Sequence, residues 1–91
     1  MSYKSHLKEL RDRADSLGIQ YESIDLSPKK TKKYRITLLD GTPIDFGARG
    51  YPDFLEHRDE DRRRRFHQRW KNNPNRNNPY SPVYYILRLN W

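Results

Sequence analysis

The chain contains no cysteine, which excludes disulfide bonds, thiolate zinc sites and cysteine nucleophiles. Apolar residues are also scarce, at 33% of the chain against about 45–50% in ordinary globular domains. No apolar run approaches the roughly 18 residues of a membrane span, and no signal peptide is recognisable. We therefore expect that the chain does not span a membrane and that it is synthesised in the cell interior.

What the chain does have is large aromatic side chains, with seven Tyr, three Phe and two Trp among 91 residues. A chain of this length forms one domain at most, and it buries only a modest fraction of its surface. The core must therefore be largely aromatic. Because the composition is so polar, we expect a small folded middle with arms that become ordered on a partner.

The net charge of +7 is unevenly distributed, and basic charge begins abruptly at Lys29. Residues 27–52 carry six Lys or Arg against two acids, and residues 72–91 carry two Arg and no acid. Such a field favours nucleic acid, anionic lipid or acidic protein surfaces as partners.

The patterning predicts an α+β fold in three segments of one domain. Residues 1–26 should form an amphipathic helix, capped by Ser5, and an extended arm or short strand. Residues 27–71 should form a basic hairpin–helix module, with a type I′ turn at Asp40-Gly41 and a charged helix that is broken near Arg58-Asp59. Residues 72–91 should form an Asn/Pro loop and a short aromatic helix that starts at Ser81-Pro82.

Two capping and pairing patterns are predicted on the charged helix. Asp53 with Glu56 has the spacing of a capping box in acidic form. The run Arg62–Arg65 follows Asp59–Asp61 at a spacing of four residues, which favours ion pairs on a helix. A self-neutralising, solvated helix is therefore one interpretation. The alternative is a docking surface, because Arg58, Arg62, Arg69 and Lys71 lack such a mate, and Arg62, Phe66, Arg69 and Trp70 share one face.

The other constellations also leave alternatives open. The lysines at 29, 30, 32 and 33 can block edge pairing of a strand or bind phosphate or an acidic partner. The aromatic residues Tyr80, Tyr84, Tyr85 and Trp91 can stack nucleobases, but packing against the hairpin or docking onto a partner suits them better. The three histidines match no metal-ligand spacing, and no nucleophile or phosphate-binding loop accompanies the acids. We expect neither catalysis nor a cofactor.

A set of short motifs occurs in order between the hairpin and the end of the chain: Lys32-Lys33-Tyr34-Arg35-Ile36, Asp40-Gly41, Ile44-Asp45-Phe46-Gly47, Tyr51, Asp53-Phe54, His57, Asp59-Glu60, Arg62-Arg63, Arg69, Ser81-Pro82 and Leu87–Trp91. This set resembles an uncharacterised family of small basic proteins encoded by nucleocytoplasmic large DNA viruses of algae and amoebae. The resemblance covers about residues 29–91. It implies a viral setting, in which small virion components are a large class, and it carries over no catalytic residue.

These observations lead to one expectation and two alternatives. We expect a non-enzymatic minor structural protein of a large DNA virus particle, a clamp or cement located in the virion and bound to acidic capsid subunits. The first alternative is a viral nucleic-acid-binding protein in genome packaging or processing, and a weaker one is an accessory subunit of an enzyme. The candidate partner-binding residues are Lys29, Lys30, Lys32, Lys33, Arg58, Arg62, Phe66, Arg69, Trp70, Tyr84 and Trp91.

Overall fold

The computed structural model describes residues 3–91, so Met1 and Ser2 of the N-terminal segment lie outside it. It has an α+β fold, as the sequence predicts. A 3-10 turn at Tyr3–His6 leads into α1. The helices and strands are α1 (Leu7–Ser16), β1 (Ser23–Leu26), β2 (Lys32–Thr37), β3 (Pro43–Ala48), α2 (Phe54–His57), α3 (Glu60–Trp70), α4 (Pro82–Tyr85) and a π-helix at Ile86–Asn90.

The three strands form one antiparallel sheet in the order β1-β2-β3. The extended arm predicted before residue 26 is therefore strand β1, in which Ile24 lies opposite Ile36. Tyr34 lies opposite Phe46 in the other pair, and their ring centroids are 5.5 Å apart. Because side chains alternate across a strand, the apolar residues of β2 and β3 share one face of the sheet.

The core lies between this face, α1 and the C-terminal helices. Leu10 and Ala14 of α1, Tyr34 and Phe46 of the sheet, and Leu89 of the π-helix are all fully buried. Aromatic rings are thus central to the core, as the composition predicts. Burial raises the pKa of the Tyr85 hydroxyl to about 12, and this hydroxyl donates a hydrogen bond to the carbonyl of Pro79.

The two ends of α1 are each defined by local features of the chain. The helix begins at Leu7, after the 3-10 turn, and its N-cap residue is His6, whose side chain makes no capping hydrogen bond; the predicted assignment of Ser5 as the cap is therefore wrong. At the other end Gly18 has a φ of 72°, and its N–H donates to the carbonyl of Asp15 at 3.1 Å. Gly18 is thus a left-handed glycine of the kind that commonly ends a helix.

The hairpin between β2 and β3 closes through a three-residue loop, so the predicted two-residue type I′ turn is wrong. Gly41 N–H donates to Leu38 O at 2.9 Å, and Leu38 N–H donates to Thr42 O at 2.9 Å. Within the loop only Gly41 has a positive φ, of 87°. This is the arrangement in which a β-turn is followed by a glycine in the left-handed region. The Asp40 side chain accepts a hydrogen bond from Thr42 N–H and stabilises the turn.

Replacing Gly41 with valine should lower the free energy of unfolding by more than about 1 kcal/mol, because a β-branched residue resists the left-handed region. No atom lies within 4 Å of a Cβ built at this position, so the cost is conformational and not steric. Gly41→Asn is the matched control and should cost less, since asparagine tolerates this region. Urea denaturation measures both, and a Gly41→Val protein as stable as the parent would contradict the loop assignment.

Asp45 on β3 is the centre of a largely buried polar cluster. Arg35 lies directly opposite on β2 and donates from Nε to Oδ1 at 2.9 Å and from Nη2 to Oδ2 at 3.0 Å. The Ser27 hydroxyl donates to Oδ1 at 2.7 Å. The hydrogen bonds from Arg35, and then the one from Ser27, lower the pKa of Asp45 from 3.8 to about 2.

This shift predicts a specific pH dependence of stability. Because the pKa of Asp45 is lower in the folded state, its contribution of about 2 kcal/mol is present above about pH 4 and is lost as the pH falls through about 2. The Asp45→Asn protein should be less stable at pH 6 and should lose less stability between pH 4 and pH 2. Thermal melts across this range measure the difference. Glu22→Gln, which removes an exposed carboxylate just before β1, is the control and should change the stability at pH 6 by less than about 0.5 kcal/mol.

Candidate functional site

The charged helix α3 separates its acids from most of its arginines. Asp59 lies just before the helix, where its side chain accepts hydrogen bonds from the N–H groups of Asp61 and Arg62, and these bonds lower its pKa. Within the helix, Glu60 pairs with Arg63 at 3.7 Å and Asp61 with Arg64 at 3.1 Å.

The ion pairs on α3 therefore have a spacing of three residues, and the predicted spacing of four is wrong. The physical reason is that Asp59 serves as the N-cap and is not available to Arg63. The remaining pairs put both helical acids beside Arg63 and Arg64. Arg62, Arg65 and Arg69 are left on another face, where they make no ion pair with any residue in 3–91.

That face of α3 borders the cleft, a depression of about 550 Å³ between α3, the segment that follows β3, and the C-terminal helices. Its residues come from all three of these regions, from the start of β2 and from the end of β3. They are Lys32, Lys33, Gly47, Ala48, Tyr51, Pro52, Asp53, Arg62, Arg65, Phe66, Arg69, Trp70, Pro82, Val83, Ile86, Asn90 and Trp91.

Four cations border the cleft without a compensating acid. Lys32, Arg62, Arg65 and Arg69 form no ion pair within the described part of the chain. The one acid among the lining residues is Asp53, and it already pairs with Lys33. Charge complementarity therefore favours an anionic occupant.

The aromatic side of the cleft is a stack of three rings. Phe66 lies parallel to Trp91, with 4.0 Å between ring centroids and 2° between ring planes. Trp70 stacks on Phe66 at 5.8 Å, and the guanidinium of Arg69 lies 5.8 Å from the centre of the Phe66 ring. Phe66, Trp70 and Trp91 are all half-buried, so the rings anchor α3 to the C-terminal segment and still face the cleft.

The floor of the cleft is a buried polar network around Lys33. Lys33 is 1% exposed, and its Nζ donates to Tyr51 O at 2.7 Å, to Asp53 Oδ2 at 3.0 Å and to Glu56 Oε1. Asn90 Nδ2 donates to the same Oδ2 of Asp53 at 3.0 Å. The network joins β2, α2 and the π-helix at one point.

This network corrects two predictions. Lys33 was predicted to bind a partner, but its side chain is fully engaged inside the protein. Asp53 and Glu56 do not form a capping box, since the side chain of Asp53 makes no capping hydrogen bond; both carboxylates bind Lys33 instead. The carboxylates pair with Lys33 because a buried cation without acidic partners costs more free energy than a short helix without a side-chain cap.

His57 lies beside the aromatic stack, 5.1 Å from Trp91 between ring centroids. Burial, and then the nearby charge of Arg62, lower the pKa of its imidazole. Its Nδ1 accepts a hydrogen bond from Asp59 N–H at 2.9 Å, which requires the neutral ring. His57 thus fixes the junction between α2 and α3.

Of the eleven predicted partner-binding residues, seven line the cleft and four lie elsewhere; the seven are Lys32, Lys33, Arg62, Phe66, Arg69, Trp70 and Trp91. Lys30 is exposed away from the cleft, and Lys29 lies 3.5 Å from Asp45, so part of the charge of the lysine cluster is compensated within the protein. Arg58 makes two hydrogen bonds to Glu9, which corrects its assignment as unpaired. Tyr84 stacks with Arg88 at 3.8 Å.

Sequence reasoning missed several residues of the cleft. Arg65 was assigned an ion pair with Asp61 that the structure does not contain. Tyr51, 74% exposed at the rim, was named only among the motifs that carry the family resemblance. Val83 and Ile86 were assigned to a terminal helix with no indication that it faces α3. A signal was available only for Arg65, whose position next to Phe66 and four residues before Arg69 puts it on the same side of the helix.

Residues 3–91 contain no group of three or more His, Asp or Glu that could share a metal ion. None of the helices in this part of the chain combines the length and the apolar character that crossing a membrane requires.

The fold and the cleft define a small α+β protein with a cation-rimmed, aromatic-lined surface depression. Residues 22–70 match a protein family described as a family of unknown function, DUF5754. The match covers more than half of the chain, so the chain belongs to this family. It runs from β1 to the end of α3 and therefore includes the arginine side of the cleft. Searches of curated proteins and of solved structures found no match.

Proposed function

We propose that this protein is a non-enzymatic minor structural component of a large DNA virus particle, and that its cleft docks onto an acidic surface of a capsid protein. The observation that carries the docking proposal is the set of four unpaired cations beside an aromatic stack in one depression. The viral setting rests on the resemblance of the hairpin and helix motifs.

The composition of the cleft supports a protein partner. Arginine, tryptophan and tyrosine are the residues that most often dominate binding energy at protein interfaces, and Arg62, Trp70 and Tyr51 all line this cleft. Pro52, Val83 and Ile86 add an apolar wall. An acidic segment with one or two large apolar side chains would satisfy both the charge and the wall.

The ring geometry favours protein over nucleic acid. Phe66 and Trp91 are stacked face to face, so the inner faces of these rings are already occupied and cannot accept a nucleobase. Single-strand binding proteins instead present open aromatic faces on which successive bases stack.

Nucleic acid binding remains the second candidate, on one specific observation. Acids among the arginines of α3 would repel phosphate, but Glu60 and Asp61 pair with Arg63 and Arg64, away from the cleft. Arg62, Arg65 and Arg69 are thus available to phosphate groups.

A binding experiment separates the two candidates. A fluorescein-labelled peptide of alternating glutamate and tyrosine and a labelled oligothymidylate of matched length are titrated with the protein at physiological salt. We expect the peptide to bind more tightly than the oligothymidylate. The double variant Arg65→Gln, Arg69→Gln should lower the affinity for the peptide by about tenfold or more. The control is Arg64→Gln, Lys71→Gln, which removes the same charge from α3 outside the cleft. If the oligonucleotide binds more tightly than the peptide, and Arg65→Gln, Arg69→Gln abolishes that binding, nucleic acid binding becomes the first candidate function.

A particle experiment tests the structural role itself. Particles are purified from infected host cells, and the chain is quantified by mass spectrometry relative to the major capsid protein. We expect a fixed copy number per particle and a matching density in the shell by cryo-electron microscopy. Recovery in the cell lysate but not in particles would contradict the proposal.

A further inference from the structure

A second depression lies on the other side of α3 and is not part of the cleft. This basic pocket, of about 570 Å³, is lined by Arg64, His67, Gln68, Lys71, Arg76, Leu87 and Arg88. Its α3 residues occur at intervals of three and four, so they share one helix face. The loop after α3 supplies Arg76, and the π-helix supplies Leu87 and Arg88.

The pocket concentrates positive charge without acidic lining. Arg64, Lys71, Arg76 and Arg88 come from three regions of the chain, and no acid is among the lining residues. Asp61 compensates Arg64 from outside, at 3.1 Å. Cations around one depression repel one another, so a multivalent anion among them gains the sum of their attraction.

Two of the arginines are held in place by backbone carbonyls. Arg76 Nη1 donates to Lys71 O at 2.6 Å. Arg88 Nη1 donates to Arg76 O at 2.7 Å and to Tyr84 O at 3.1 Å, and its Nη2 donates to Asn77 Oδ1 at 3.2 Å. Each guanidinium has five N–H donors, so both keep donors that these contacts do not use. Anchored arginines with free donors lose little conformational entropy when they bind an anion.

His67 also lines the pocket, together with Lys71. Its Nε2 is enclosed by the protein and has no hydrogen-bond partner within residues 3–91, so the cations, and not this ring nitrogen, would contact an anion in the pocket.

We propose that this pocket binds a compact, multiply charged phosphate group, such as the diphosphate of a small molecule. Arginine binds phosphate through paired, charge-assisted hydrogen bonds, and four cations around one depression suit a charge larger than that of a carboxylate. A nucleic acid strand needs an extended basic track, whereas here α3, the loop and the π-helix surround a single depression.

The test uses the full chain and inorganic pyrophosphate as the probe, by isothermal titration calorimetry at physiological salt. We expect one site, weakened by about tenfold or more in the double variant Arg64→Gln, Lys71→Gln, because charge-assisted bonds to phosphate are about twice as strong as neutral ones. Both side chains are exposed, so the fold should persist, which a thermal melt verifies. The matched control Arg65→Gln, Arg69→Gln removes equal charge from the cleft and should keep the pyrophosphate affinity.

Three results would overturn the proposal. Equal weakening in both double variants would show attraction to the overall charge and no defined pocket. Equal affinity for sulfate would mean an adventitious ion only. Oligothymidylate that binds more tightly than pyrophosphate, with the same loss in Arg64→Gln, Lys71→Gln, would assign the pocket to a nucleic acid backbone. Because the peptide experiment depends on the cleft, failure here leaves the docking proposal untouched.

Discussion

Replacing Lys33 with methionine should destabilise the protein by about 3–5 kcal/mol, since removing one partner of a buried ion pair leaves an uncompensated buried charge. Asp53 is 2% exposed and would retain only the hydrogen bond from Asn90. A chain of this size has a total stability of roughly 5–14 kcal/mol, so the loss is a large fraction of it. Guanidinium denaturation measures the change.

The matched control for this prediction is Lys30→Met, which removes an exposed lysine from the same basic segment and should change stability by less than about 0.5 kcal/mol. A second variant identifies the cause. Combining Lys33→Met with Asp53→Asn and Glu56→Gln removes all the charges together, and it should be more stable than Lys33→Met alone. If the single variant is as stable as Lys30→Met, the network does not support the fold.

Replacing Trp70 with alanine should weaken binding of the acidic peptide by about 2 kcal/mol, or roughly 30-fold in affinity, because central tryptophans dominate interfaces of this composition. The loss of stability should be smaller, since Trp70 is half-buried and contacts Phe66 at the outer end of the stack. Fluorescence anisotropy with the peptide and a parallel thermal melt give both quantities.

Tyr80→Ala is the control for Trp70→Ala. Tyr80 is 58% exposed and its hydroxyl donates to Asp40, away from the cleft, so peptide binding should not change. A Trp70→Ala protein that unfolds would show that the ring belongs to the core, and the docking argument would then lose its main anchor.

The sequence predicted the parts of the fold that depend on local patterns. Alternation identified β2 and β3, Asp40-Gly41 identified the hairpin, and Ser81-Pro82 identified the start of α4, whose side-chain cap the structure confirms. Each of these features depends on neighbours within a few residues. The break at Arg58 was also predicted, and the structure shows it as a left-handed residue with a φ of 54°.

The errors arose where a distant residue decides the outcome. Lys33 has the same local surroundings as Lys32, and it is buried only because Asp53 and Glu56 approach it from 20 or more positions away. For the same reason, only one side of the cleft could be predicted from the sequence. The face with Arg62, Phe66 and Trp70 follows from helical spacing, but its opposite wall, Val83 and Ile86, comes from tertiary packing that no local pattern encodes.

The way α3 is attached has a consequence for the motions of the protein. No residue of α3 is buried; it is held by the ring stack, by the hydrogen bond from Arg63 to Trp91 O and, next to the helix, by Arg58 on Glu9. Elements with few buried contacts open at lower free energy than the core strands. The amide hydrogens of α3 will therefore exchange with solvent sooner than those of β2, and faster still at high salt, which screens the exposed Arg58–Glu9 pair. The arginine side of the cleft is thus its compliant side, able to adjust its width to an occupant while the sheet stays rigid.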